Sequence, residues 1–246
     1  MKYIVFSDLD GTLLDHFSYS FDPALNMISY LKQNSIPLIF NTSKTKKECE
    51  ILQKKMGISE PFIVENGAAI YGFSKPIVLG LSFEELKPFL EDIKDRYKIV
   101  PFYDMSIEDL MSKTGFLYED ANIAKNREFS IPFIIEDENN IEHIQSLAKK
   151  RDLKILKGGR FYHLVGASQD KGEAVRIVSK LLGDDLKTIG LGDSYNDLDM
   201  LRVVDIAVLI PNSSGEFIKS DIPNIKKAKF AGPKGWSKAL EEIFDR

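Results

Sequence analysis

Met1-Lys2-Tyr3-Ile4-Val5-Phe6-Ser7-Asp8-Leu9-Asp10-Gly11-Thr12-Leu13-Leu14 opens the chain, and its reading decides the fold. Tyr3 to Phe6 is short, apolar, β-branched and aromatic, the pattern of a parallel strand buried on both faces. The run stops at Ser7. Two carboxylates with one residue between them follow, Asp8 and Asp10, and then Gly11-Thr12. In open α/β sheets, ligands bind at the carboxyl ends of the strands. A carboxylate pair placed there can hold a hard divalent cation through oxygen ligands, and one member can act as a nucleophile. A lone Asp-Gly serves as well for a turn or a helix cap. The expectation of a site rests on the pair standing directly after an N-terminal buried strand.

The pattern repeats outward from that stretch. Asp22-Pro23 suits a helix start, with Asp as cap and Pro in the first turn, and Leu25, Ile28 and Leu31 give its apolar face. Ile36 to Phe40 reads as a second buried strand, ending in Asn41-Thr42-Ser43-Lys44-Thr45 before a helix that runs to Gly57. Hydroxyls and backbone N–H groups at such a helix start form an anion site, or a plain cap. Pro61 to Val64 is a third strand, and Glu65-Asn66-Gly67-Ala68 turns into Ala69-Ile70-Tyr71. Farther on, Ser168-Gln169-Asp170-Lys171-Gly172 precedes a helix. The strand Thr188 to Leu191 ends in Gly192-Asp193-Ser194-Tyr195-Asn196-Asp197, and Ile206 to Ile210 is the last core strand. A final helix is expected from Ser237 to Phe244, with Trp236 as a packing anchor.

Between these halves the alternation changes. Capping boxes begin at Ser82 and Ser106, helices are expected over 82–97, 106–113, 119–128 and 141–150, and strands over 98–103, 132–136, 153–156 and 161–165. That order suggests helices on one antiparallel sheet. The fold class expected is α/β, a doubly wound, mostly parallel Rossmann-like sheet with an inserted α+β cap domain. The core takes residues 1–80 and 166–246, and the cap takes 81–165. A closing cap can shield a reactive intermediate and read the rest of the substrate. Arg127, beside a strand start, and Arg160, on a Gly-Gly hairpin, could each clamp a carboxylate two-fold, or serve as a surface ion pair and a solvated turn. His163 reads as a packed strand residue.

Composition narrows the function classes. The 246 residues carry a net charge of −4, with 43% hydrophobic and 28% charged residues and a pI near 5.6. No basic footprint for nucleic acid is present. One cysteine, Cys49, excludes a disulfide within the chain. There is no leader pattern and no apolar run long enough to span a membrane, so a cytoplasmic protein without membrane partners is expected, its oligomeric state open.

Asp8-Leu9-Asp10-Gly11-Thr12, Thr42, Asp170-Lys171-Gly172 and Gly192 to Asp197 together resemble the four motifs of the haloacid dehalogenase superfamily of phosphotransferases. The resemblance implies Asp8 as the phosphoryl-accepting nucleophile and Asp10 as general acid and base. Thr42, with Ser43 as the fallback, would contact the phosphoryl group, and Lys171 would balance its charge. Mg²⁺ is the implied cofactor, ligated by Asp8, Asp10 through its backbone carbonyl, and Asp193, with Asn196 and Asp197 in support. The stretches FNTSK (40–44), ENGAAI (65–70), REFSIPF (127–133), GGRFYHL (158–164) and GPKGW (232–236) are similar to the mannosyl-3-phosphoglycerate phosphatase branch. REFSIPF lacks the tyrosine and glutamate of that branch's usual REYSEPF. The branch resemblance implies a small phosphorylated sugar-glycerate substrate. The expected substrate contacts are Ser43, Lys44, Glu65, Asn66, Gly67, Arg127 and Arg160, with Arg127 or Arg160 on the carboxylate by inference from that substrate and not by resemblance. Glucosyl-3-phosphoglycerate, sucrose phosphate or another sugar phosphate remain alternative substrates, and a non-enzymatic sugar-phosphate sensor is a further alternative.

Overall fold

The computed structural model describes residues 2–183 and 185–245; Met1, Asp184 and Arg246, including both outer ends of the expected core segments, lie outside the described residues. The first stretch builds β1 (Lys2–Ser7), α1 (Leu25–Gln33), β2 (Leu38–Phe40), α2 (Lys46–Met56), β3 (Phe62–Val64), β4 (Ala69–Tyr71) and β5 (Ile77–Val78). The middle of the chain builds α3 (Phe83–Tyr97), β6 (Ile99–Pro101), α4 (Ile107–Thr114), α5 (Tyr118–Lys125), β7 (Ile131–Ile135), α6 (Ile141–Lys149), β8 (Leu153–Lys157) and β9 (Tyr162–Gly166). The chain closes with α7 (Lys171–Leu182), β10 (Leu186–Gly192), α8 (Leu198–Val203), β11 (Ile206–Leu209), β12 (Lys226–Lys227) and α9 (Gly232–Ile243).

The central sheet is parallel throughout, in the order β12-β11-β10-β1-β2. The opening stretch, β1, lies between β10 and β2, with Ile4, Val5 and Phe6 fully buried. One face packs Val5 with α1, α2 and α9 residues. The other packs Ile4 and Phe6 with Ala174, Val175 and Val178 of α7 and Met200 and Leu201 of α8. Alternation along β1 therefore feeds two cores, which is the doubly wound arrangement. The third expected strand does not join this sheet as a full member. β3 pairs antiparallel with β4 in a separate three-stranded sheet, and an isolated bridge from Asn41 to Ile63 ties it to the end of β2.

The middle of the chain forms a four-stranded antiparallel sheet, β6-β7-β9-β8. Leu86, Leu90, Ile131, Phe133, Ile144 and Leu164 make a separate buried cluster there. Several boundaries differ from expectation. Asp22–Ala24 is a 3₁₀ turn in which Asp22 caps nothing with its side chain, and α1 follows it. The strand expected over 98–103 stops at Pro101 and becomes a 3₁₀ turn. α5 ends at Lys125, short of Glu128. α9 starts at Gly232, five residues before Ser237, because Pro233 fits the first turn and Gly235, having no Cβ, lets the helix lie against the Phe230 carbonyl. β5 and β12 are two-residue strands too short to leave a sequence period. Among the described residues, no helix is long and apolar enough to cross a membrane.

Candidate active site

Three parallel strands end at one level. Ser7 pairs with Leu191 of β10 and with Phe40 of β2, so the residues just beyond them emerge at the same edge. β1 delivers Asp8, β10 delivers Asp193, and β2 delivers Asn41 and Thr42. The fourth contributor is α7. Asp170 caps it, accepting from the N–H groups of Gly172 and Glu173, which fixes Lys171 in the first turn. Trp236 of α9 is fully buried beneath the edge, and its indole N–H donates to Ser7 Oγ at 3.0 Å.

Asp8, Asp193 and Asp197 each present a carboxylate oxygen within 4.8 Å of the others. Lys171, 1% exposed, donates to Asp8 Oδ1 at 2.8 Å and to Asp197 Oδ1 at 2.6 Å. Asp197 Oδ2 accepts from the N–H groups of Asp193 and Ser194, so both of its oxygens are occupied. Asp193 Oδ1 accepts from Thr12 Oγ1 at 3.0 Å. The second oxygens of Asp8 and Asp193 have no protein hydrogen bond, and both residues line a cavity of about 100 Å³. Gly11 makes this approach possible. At φ +82° a side chain would be strained, and its Cβ would lie 2.7 Å from Asp193 Oδ2.

The electrostatics follow from three buried carboxylates sharing one ammonium. Burial, and then the nearby Asp197 charge, push the Asp8 carboxyl up to about 7 against the opposing pull of Lys171. Asp193 is raised well above the usual carboxylate range, first by burial and then by Asp197 and Asp8. Burial works against the charge on Lys171, but Asp197 and Asp8 outweigh it and raise its pKa. An all-oxygen cluster in net negative excess, with two oxygens unengaged, fits a hard divalent cation. Asp197 is close enough to count in that cluster, whereas the carboxylate of Asp10, one of the expected metal residues, lies outside it.

Asp10 instead pairs with Lys44 at 3.1 Å, and Lys44 also meets Glu48 at 3.2 Å. Lys44 lies near the Tyr19 and Phe116 rings, 5.4 and 5.1 Å from their centroids. Burial disfavours its charge, but Asp10 and Glu48 prevail and raise its pKa. Thr42 is fully buried, and its Oγ1 accepts from the Lys44 N–H. Asn66 Oδ1 accepts from Asn196 Nδ2 at 2.8 Å, joining the turn after β3 to the loop after β10. Gly67, at φ +89°, lies against the Asp170 carbonyl, where a Cβ would collide.

Glu65, Arg127 and Arg160 hold protein groups. The Glu65 carboxylate accepts from the N–H groups of Glu128 and Phe129 and from Ser130 Oγ, and lies 3.5 Å from Arg127 Nε. Arg127 donates to Ser130 Oγ and to the carbonyls of Ala124 and Ser43. Arg160 donates to His16 Nε2, Tyr19 Oη and the carbonyls of His16 and Thr114. Both arginines line the cavity, yet their forks tie the inserted sheet to the loops after β1 and β2. Thr12, His16, Tyr19 and Glu48 also shape the site without having been singled out. Thr12 alone carried a signal, as the last letter of the opening motif.

The comparisons agree with this geometry. A haloacid dehalogenase-like hydrolase family model matches residues 5–221. A relative from Persephonella marina, a glucosyl-3-phosphoglycerate/mannosyl-3-phosphoglycerate phosphatase, is 46% identical over 98% of this chain and 97% of its own. One of the same name from Methanococcoides burtonii is 38% identical over 100% and 98%. Among solved structures, a Thermoplasma acidophilum protein superposes with a TM-score of 0.78 at 19% identity, covering 100% of this chain and 99% of its own. The sucrose-phosphatase of Synechocystis, solved with sucrose and phosphate, reaches 0.67 at 17%, with the same coverage. Strand order, strand-end carboxylates and full-length matches lead to one conclusion: the chain belongs to the haloacid dehalogenase-like hydrolases.

Proposed function

We propose that the protein is a Mg²⁺-dependent phosphoric monoester hydrolase that converts 2-O-mannosyl-3-phosphoglycerate to mannosylglycerate and phosphate. The observation that carries the chemistry is the Asp8 carboxylate, with one oxygen on Lys171 and the other free at a cavity. The substrate class is supported by the names of the two relatives. Their double name gives the glucosyl ester as a second reading. A sensor without activity would have no need of the motif carboxylates and lysine, all of which are retained. In this proposal residues 1–80 and 166–246 form the catalytic core and 81–165 the cap.

Asp8 attacks the phosphorus, and the bond to the glycerate 3-oxygen breaks as Asp10 gives that oxygen its proton. Asp10 then takes a proton from water, whose oxygen displaces Asp8 from the aspartyl-phosphate and releases inorganic phosphate. Lys171 keeps its positive charge beside the nucleophile throughout, and Thr42, with Ser43 beside it, positions the phosphoryl group. Mg²⁺, held by Asp8, Asp193 and the Asp10 carbonyl with Asn196 and Asp197 in support, would supply the charge that lets a carboxylate approach a phosphate dianion. Phosphate release from mannosyl- and glucosyl-3-phosphoglycerate, sucrose phosphate and simple hexose phosphates, with and without Mg²⁺, tests the proposal. Preference for the glycosyl-phosphoglycerates is expected, and preference for hexose phosphates overturns it.

A further inference from the structure

Among the described residues, His163 is the buried polar side chain of the cavity wall that has no hydrogen-bond partner. His163 lies on β9 between Tyr162 and Leu164, which face the inserted sheet's own apolar cluster, so alternation turns His163 to the other side, toward the core. It lines the cavity together with Asp8, Ser43, Arg127 and Pro132, and Pro132 is its paired residue on β7. Its residue exposure is 7%. Neither ring nitrogen makes a hydrogen bond, and Nδ1 is fully buried without a partner. Gly158 leaves room beside it; a Cβ there would come within 3.2 Å of Nε2.

The surroundings select what such a ring can bind. Burial first, and then the charges of Arg127 and Lys171, drive its pKa down to about 3. The imidazole is therefore neutral at working pH and stands in a positive field. A neutral ring there can donate one N–H, and the field favours an anionic acceptor. The cations lining the cavity are already engaged: Lys44 by Asp10 and Glu48, Arg127 by Ser43, Ala124, Ser130 and Glu65, and Arg160 by His16, Tyr19 and Thr114; Lys171 is held by Asp8 and Asp197.

We propose that His163 is the specificity-determining donor to the substrate's glycerate carboxylate, in place of the cap arginines. This assignment rests on the phosphoglycerate reading above. 3-Phosphoglycerate and glycerol 3-phosphate form a suitable pair of probes, because they share the phosphate and the chain and differ in carboxylate against hydroxymethyl. Their binding to the inert Asp8→Asn enzyme with Mg²⁺, measured by calorimetry, gives a preference ratio. That ratio should favour 3-phosphoglycerate by about tenfold or more, the scale of a hydrogen bond to a charged group. Adding His163→Phe should bring it close to one while glycerol 3-phosphate binds as before. His163→Asn or His163→Gln, which put an amide nitrogen near Nδ1 or Nε2, should restore it. An unchanged ratio in the Phe variant, equal weakening of both ligands, or loss with neither amide restoring it overturns the assignment and leaves the phosphoglycerate reading standing. A ratio of one in Asp8→Asn itself overturns that reading, and the assignment with it.

Discussion

The floor and the wall of the cavity are built on opposite terms. The floor is the edge of the parallel sheet, where Asp8, Asp193, Asp197 and Lys171 meet one another across up to 189 residues of chain. Its groups are charged, buried and mutually dependent. The wall is the inserted sheet, whose two arginines line the cavity but have their forks engaged by protein groups: Arg127 and Arg160 hold core carbonyls, and the neutral His163 is left unpartnered. On the function proposed above, the contrast teaches that charge on the floor serves the reaction, while charge on the wall serves the seam between two sheets.

The largest test of this contrast removes the proposed nucleophile. Asp8→Asn should lower kcat by at least about 10⁴-fold, the scale on which loss of a covalent catalyst is felt, with folding retained; a variant turning over near the wild-type rate would remove the floor's assigned role. Next is Lys171→Met, which strands Asp8 and Asp197. Breaking a buried pair costs about 3–5 kcal/mol, so denaturant unfolding of the metal-free variant at pH 8 should show a loss of that size. The loss should shrink at pH 5, where Asp8 carries its proton; a pH-independent loss would contradict it.

Metal and pH test the same charges without mutation. The Asp8 carboxyl stands near 7 in the fold, against an ordinary value of 3.8. Because the folded pKa is the higher one, its contribution to stability is full below about pH 4 and disappears as pH rises through 7. His163 has the opposite sign, since its pKa is depressed in the fold; its contribution falls as pH drops below about 6.5. That second effect is common to metal-free and metal-loaded protein. The rise in Tm on adding Mg²⁺ should therefore be small at pH 5 and grow steadily to pH 8; a rise independent of pH would mean that the cluster is not where the ion acts. The smallest effect is at the wall. Arg160→Lys keeps the charge but loses the fork that spans His16, Tyr19 and Thr114. It should cost about 1 kcal/mol of stability and change KM more than kcat; a selective collapse of kcat would move Arg160 from seam to chemistry.

The floor was readable in the sequence because strand ends are local events. A buried run followed by carboxylates marks Asp8 and Asp193, and a capped helix start marks Lys171. The parallel register then brings such ends together without further information. The wall was much less readable. Whether Arg127 faces a ligand or the Ser43 carbonyl depends on contacts 84 residues away. Glu65 looked like a substrate contact because its turn is distinctive, yet its carboxylate is filled by the backbone of Glu128 and Phe129. His163 could have been found by counting alternation along Tyr162-His163-Leu164, since its neighbours are both apolar. The early start of α9 escaped because Gly-Pro-Lys-Gly looks like a loop unless the close approach to Phe230 is known.

The strand order has a consequence for synthesis on the ribosome. β1 is made first, but one of its two neighbours, β10, is made after the whole inserted sheet. Among the described residues, the inserted strands pair only with one another, and all have been synthesised by Gly166. A chain growing from its N-terminus can thus close the wall while the floor still lacks Asp193 and the Trp236 anchor. The long-range parallel pairing comes late, as high-separation contacts do. The nascent chain carries Asp8 on an unfinished strand, and the carboxylate cluster is complete only once the chain's last quarter has been translated.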